Sequence, residues 1–325
     1  MTSDSHATSR APEAVLIGRS RRDTGADRGS PRRRKRLSAT RGMWLFLIPA
    51  TILYAFSVII PSAQGTMYAF TDWDGLNPDW SFLGLENFTR ILGDAQAMRA
   101  VGNTLTLAIV VTIVENVIGL LLALAVHSKL KSRNLLRLIF FAPVVIVSVV
   151  IAFLWQFIYT PNGPLNQLLV GLGLDGLAQN WLGDPALALW SIAIVIIWQF
   201  SGYSMVIFLA GLQGVPAELL EASSLDGAGP VRRFWYIIRP LLAPAITVNL
   251  MLSLIRGLMT FDQIWVMTQG GPAQSTDSLS TLMYRNAFQY GEYGYSIALA
   301  VVLAVFVAIF AIVQYRFLSR SGADK

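Results

Sequence analysis

The chain has 325 residues, of which 54% are hydrophobic and only 14% charged, with a mean hydropathy of +0.54 and a net charge of +6. Soluble domains hold charged residues near a quarter of their composition, so this balance excludes an ordinary water-soluble domain and indicates a surface bathed largely in lipid. There is no cysteine, which excludes disulfides and thiolate metal sites.

Residues 1–42 are rich in Ser, Arg, Gly and Asp and poor in apolar side chains. Such a segment cannot offset the entropy of ordering and is expected to be a disordered basic cytoplasmic tail. Its run Arg32-Arg33-Arg34-Lys35-Arg36 fits topogenic charge beside a membrane span better than a nucleic-acid contact.

A bilayer span needs about 20 apolar residues. Six stretches qualify, at roughly 43–63, 103–126, 138–159, 186–209, 241–261 and 296–317. The first lies too far from the start, and lacks the small-residue cleavage pattern, to be a removed signal peptide. Lys and Arg set the direction. With the amino terminus inside, eleven fall before Met43, four at Lys129, Lys131, Arg133 and Arg137, three at Arg232, Arg233 and Arg239, and three from Arg316 on, against Arg90, Arg99 and Arg285 outside. The expectation is an all-α polytopic membrane protein with six transmembrane helices over 43–317, a tail at 318–325 and both termini cytoplasmic. Trp44, Trp190 and Trp265 fall at span ends as interfacial anchors. The outer segment from Thr71 to Phe88 mixes turn residues with aromatics and is expected to be ordered, with a short amphipathic piece.

The cytoplasmic loop 217–240 has helix start and stop signals of its own. Pro216 sits where a helix begins without losing a hydrogen bond, and Glu218 and Glu221 suit the positive end of the helix dipole. Asp226 and Gly227 end that helix, Gly229-Pro230 starts a second, and Pro240 and Pro244 mark entry to span five. Ala222, Ser223 and Ala228 are small enough to let another protein approach closely. A structured cytoplasmic loop implies a partner; the bland alternative is a plain connector.

The pattern Glu221-Ala222-Ser223, Gly227, Ile237, Pro240 resembles the signature loop of permease subunits of binding-protein-dependent ABC importers, with Ser223 at a position that is usually Ala. The stretch Phe261-Asp262-Gln263-Ile264-Trp265 through Gly270-Gly271-Pro272 is similar to the carbohydrate branch of that family, the maltose and glycerol-phosphate type, as are Trp73-Asp74-Gly75 and Gly84-Leu85-Glu86-Asn87. The resemblance covers roughly residues 40–318. It implies an ABC importer type I permease fold in a bacterial cell membrane. It also implies a heterodimer with a second permease, two ATPase subunits and an extracytoplasmic solute-binding protein. No Gly-x-x-x-x-Gly-Lys-Ser/Thr loop occurs in the chain, so ATP and magnesium are expected on the partner ATPase and no cofactor on this chain. Glu221 and Asp226 would face that ATPase, and the helix from Ala217 to Leu225 would act as a lever on spans four and five.

A sugar path needs hydrogen-bonding groups, aromatic faces and small residues near mid-membrane. Trp198, Ser201, Gly202 and Met205 share one face of span four by their spacing, and Ser253, Arg256 and Gly257 repeat it in span five. These positions also correspond to cavity-lining stretches of the maltose-type permease. Helix packing is the competing role for Trp198, Met205, Ser253 and Gly257. A charge inside a span is expensive and usually faces a cavity or a partner, which singles out Arg256, with Glu115 the other intramembrane charge and their contact left open. Ser148 and Trp155 in span three are further candidates. No His-Glu-x-x-His motif or nucleophile constellation supports an intramembrane enzyme, the only histidines being His6 and His127. Glu115 alone is thin support for an ion-coupled secondary transporter. A permease for a non-sugar solute differs only in cargo.

Overall fold

The computed structural model describes residues 47–127 and 132–323, with side chains as far as Arg316. The basic tail 1–42, Trp44, Lys129 and Lys131 fall outside the described residues. The chain divides into two compact units, Met1–Phe56 and Ser57–Lys325. The described residues of the first are helical and, Ala55 apart, exposed; everything below concerns the second, apart from the helix that begins before it.

Helix α1, Leu47–Tyr68, is long and apolar enough to cross a membrane. It carries a π turn at Ala55–Ile59 just before Pro61, whose missing N–H breaks the regular ladder there. The segment that follows is ordered, as expected. Thr71 pairs with Phe82, and the buried Asn87 side chain donates to the carbonyls of Ala69 and Thr71 at 3.0 and 2.8 Å. Asn87 lies on α2, Glu86–Gly93, which an Arg90–Glu292 ion pair of 2.8 Å fastens to the other end of the chain.

Helix α3, Ala95–His127, starts eight residues before the hydropathic stretch does. Its 33 residues give about 50 Å of helix, well beyond a ~30 Å hydrocarbon core. Good helix formers around Ala95, Ala97 and Ala100 extend it where hydropathy alone gives no signal. Its buried positions, including Leu107, Val111, Glu115, Gly119 and Ala123, recur at spacings of three and four, so one stripe faces the protein.

Span three departs from expectation. It is two helices, α4, Arg133–Val145, and α5, Ser148–Ile158, meeting at 98°. Pro143 weakens the ladder and a β-branched run, Val144 to Val147, follows it. Gln199 donates to the freed carbonyl of Ile146 at 3.2 Å and lies 3.3 Å from the Ser148 hydroxyl, so the backbone oxygen at the break has a partner while the side chains of Val145, Ile146 and Val147 stay exposed. Among the described residues five helices are long and apolar enough to span a membrane, six when this bent pair counts as one span.

Helix α6, Pro164–Gly171, caps the next loop, where Asn166 bonds Pro161, Gln179 and Trp181. Helix α7 is Ala188–Gln213. After Pro216 come α8, Ala217–Leu225, and α9, Pro230–Arg233, then a π turn through Ile238 and α10, Ala243–Leu258. Helices α11, Asp262–Thr268, α12, Leu279–Phe288, and α13, Tyr293–Ala323, complete the chain. The core is built on α3, which packs along α7 and α10. Small residues allow these approaches: a Cβ on Gly119 would lie 2.5 Å from Ser204 Cβ, and one on Gly257 2.7 Å from Ala108 Cα.

Candidate functional site

The loop between α7 and α10 folds as its residues dictate. Gly227 closes α8 at φ +73°, a conformation open to Gly at little cost. The Ala228 N–H reaches the Ser223 carbonyl at 2.9 Å and the Gly227 N–H the Ser224 carbonyl at 3.2 Å, the paired bonds of a Schellman motif. Arg233 then ties α9 back to α8 by donating to the Ser224 hydroxyl at 2.7 Å. The unit is thus a rigid helix pair, and only Val215 and Pro216 separate α8 from Gly214, the cap of α7.

Its side chains are distributed unevenly. Glu221, Ala222, Asp226 and Gly227 are exposed, Ala228 and Pro240 half-buried. Ser223 is buried instead, and its hydroxyl donates to the Leu220 carbonyl at 2.8 Å, so it packs the helix pair from inside rather than offering close approach to a partner. Five apolar residues that the loop's polar sequence signature hides are exposed: Leu219, Leu225, Val231, Trp235 and Tyr236, with Leu225 at 90%. Val231, Trp235 and Tyr236 lie together, lining one shallow surface pocket with Pro230 and Arg232.

The path candidates separate into two places. Trp198, Ser201 and Gly202 line an apolar cavity of about 530 Å³ with Val114 and Ile118 of α3 and Phe140 and Pro143 of α4. Met205 does not join them. It is fully buried against Phe208 and Leu242, as packing of α7 on the start of α10 requires. Gly202 is a close-approach residue, since a Cβ there would lie 1.8 Å from the Phe140 carbonyl oxygen. Gly257 and Ser253 pack in the same sense: Ser253 is completely buried and accepts a hydrogen bond from Asn116 at 2.8 Å. Trp155 meets Trp198 edge-on at 5.5 Å and Tyr159 at 5.1 Å. Ser148 takes its place in the polar seam with Gln199, which also accepts from Gln263 at 3.0 Å.

The second place centres on Arg256. Its guanidinium donates to both carboxylate oxygens of Glu115, at 3.1 and 3.3 Å, so the two intramembrane charges do pair. It lies over the rings of Phe200 and Tyr203, 4.1 and 5.3 Å from their centroids. Ser204 donates to the same carboxylate at 2.6 Å. Phe200, Tyr203 and Ser204 escaped detection from sequence; their signal was placement on α7 opposite a charge that needs a partner. Trp265, expected as an interfacial anchor, joins a run of neighbouring rings with Phe261, Tyr284 and Phe288.

Residues 115–321 match the family of binding-protein-dependent transport system inner membrane components. The chain belongs to this family. It is therefore a multi-pass inner membrane protein and a permease component of a transport system. It is 34% identical to the multiple sugar-binding transport system permease protein MsmF of Streptococcus mutans, over 84% of this chain and 93% of that one. It is also 34% identical to the trehalose/maltose transport system permease protein MalF of Thermococcus litoralis, over 84% and 92%. Its fold matches a bacterial ABC transporter involved in the import of the acidic polysaccharide alginate, with a TM-score of 0.76 and 25% identity over 86% of this chain and 96% of that one. The expected type I importer permease fold is thereby shown.

Proposed function

We propose that this permease carries a sugar or sugar derivative inward, beside a second permease, and is driven by two ATPase subunits that bind the loop 217–240. The observation that carries the coupling role is mechanical: a rigid helix pair with an exposed apolar patch is joined at both ends, through short connections, to α7 and α10. Movement of α8 by ATPase closure would tilt both spans, and these hold Trp198, Arg256, Phe200 and Tyr203. The excess of Lys and Arg around this loop sets it on the cytoplasmic side. An extracytoplasmic binding protein would deliver the solute on the other. The sugar assignment draws support from the relatives' named cargoes and from the aromatic and hydrogen-bonding groups near Arg256. With Mg-ATP bound by the partner, this chain performs no hydrolysis itself.

The loop provides the test. Gly227→Leu strains the backbone at φ +73° with no steric neighbour to blame, because nothing lies within 4 Å of its Cβ position. Solute uptake by cells carrying this variant should be lost while membrane insertion persists. Normal uptake would overturn the coupling role.

A further inference from the structure

The ion pair of Arg256 and Glu115 is placed asymmetrically. Glu115 is completely buried, whereas a quarter of the Arg256 side chain is exposed. Glu115 Oε1 accepts from both Arg256 and Ser204, so the carboxylate is held by two elements, α10 and α7. Only Nη1 of Arg256 is engaged; among the described residues no acceptor meets its remaining N–H groups, which lie beside Phe200 and Tyr203. The charges are also alone. Helix α7 carries no Asp, Glu, Lys or Arg, α10 only Arg256, and α3 between Ala100 and Val126 only Glu115.

We propose that Glu115 is a positioning residue that neutralises Arg256 and holds it against Phe200 and Tyr203, so that this wall offers hydrogen-bond donors without net charge and selects uncharged saccharides over acidic ones. This rests on the placement of Arg256 along the solute path. An uncompensated guanidinium would capture a uronate carboxylate as a bidentate pair and retain it. A neutralised one still donates to sugar hydroxyls, while the adjoining rings supply apolar faces.

The test is modification of Arg256 by phenylglyoxal in membranes that contain the full chain with its partner subunits, read by mass spectrometry of the peptide bearing Arg256. In the wild type the reaction should be slow, and maltotriose should slow it further while digalacturonate does not. Glu115→Gln should react about tenfold faster, the change expected on losing one charge-assisted pair, and digalacturonate should now protect it. Glu115→Asp, which keeps the carboxylate, should stay slow. An unchanged rate in Glu115→Gln, or equal protection of the wild type by both saccharides, overturns the proposal. Should Glu115→Gln fail to insert, the wild-type protection pattern alone decides. Faster reaction without protection by either saccharide removes Arg256 from the path and the filter with it, yet leaves the coupling role of the loop, read separately through Gly227, untouched.

Discussion

Gly202→Ala tests whether α7 meets α4 as closely as the structure shows. The added Cβ would lie 1.8 Å from the Phe140 carbonyl oxygen, 2.6 Å from its carbonyl carbon and 3.0 Å from Phe141 Cα. Carbon–oxygen contacts settle near ~3.3 Å, so the helices must part by about 1.5 Å. All three atoms are backbone, and no rotamer change relieves them. Overpacking of this kind typically costs about 1–3 kcal/mol, and the backbone contact places this site at the upper end. Replacing Gly inside a helix returns about 1 kcal/mol of propensity, leaving a net loss near 2 kcal/mol, or about thirtyfold in the folding equilibrium. Reversible unfolding by SDS titration in mixed micelles, followed by tryptophan fluorescence, measures it. Gly65→Ala is the control, since nothing lies within 4 Å of its Cβ position; it should be neutral or slightly stabilising. Equal stability of Gly202→Ala and the wild type would refute the close α4–α7 approach.

Two further outcomes follow from polar geometry. Asp277 is completely buried and bonds Arg285 at 2.7 Å, so Asp277→Ala should cost about 3 kcal/mol in the same titration by leaving the guanidinium no counter-charge and only the Gln269 carbonyl as acceptor, and Asp277→Ala with Arg285→Met should recover much of that loss. Asp72 and Asp74 are both held below the ordinary carboxylate range, Asp72 by the Ser81 hydroxyl and then its N–H, Asp74 by the N–H groups of Asn77 and Leu76. A depressed folded value means their stabilisation is present above the unfolded pKa of about 3.9 and is lost as pH falls through the folded values below it. Limited proteolysis between Asp72 and Ser81 should therefore rise only below about pH 4, and Asp72→Asn with Asp74→Asn should flatten that profile.

Elements whose signals are local were legible. Helix α8 begins after Pro216 and stops short of Gly227 because those two residues have few alternatives, and neither depends on a distant partner. The bend in span three was not legible from hydropathy. Pro143 warns of a weak ladder, but the partner that meets the freed Ile146 carbonyl at the 98° turn, Gln199, lies more than fifty residues on. The early start of α3 was missed for the opposite reason: Ala95 to Gly102 is good helix but too polar to register as membrane.

The site shows what periodicity carries and where it stops. Spacing put Trp198, Ser201, Gly202 and Met205 on one face of α7, yet that face meets α4 and a cavity at one height and the start of α10 at another. A shared face therefore does not mean a shared environment. Charge is more informative, because it is scarce. A buried carboxylate must find a cation, and the core of the bundle formed by α3, α7 and α10 contains one of each, Glu115 and Arg256. The Arg256–Glu115 pair thus ties α3 to α10 at one register. The same pairing leaves Arg256 a hydrogen-bond donor whose charge Glu115 offsets, which is the reason for expecting an uncharged solute.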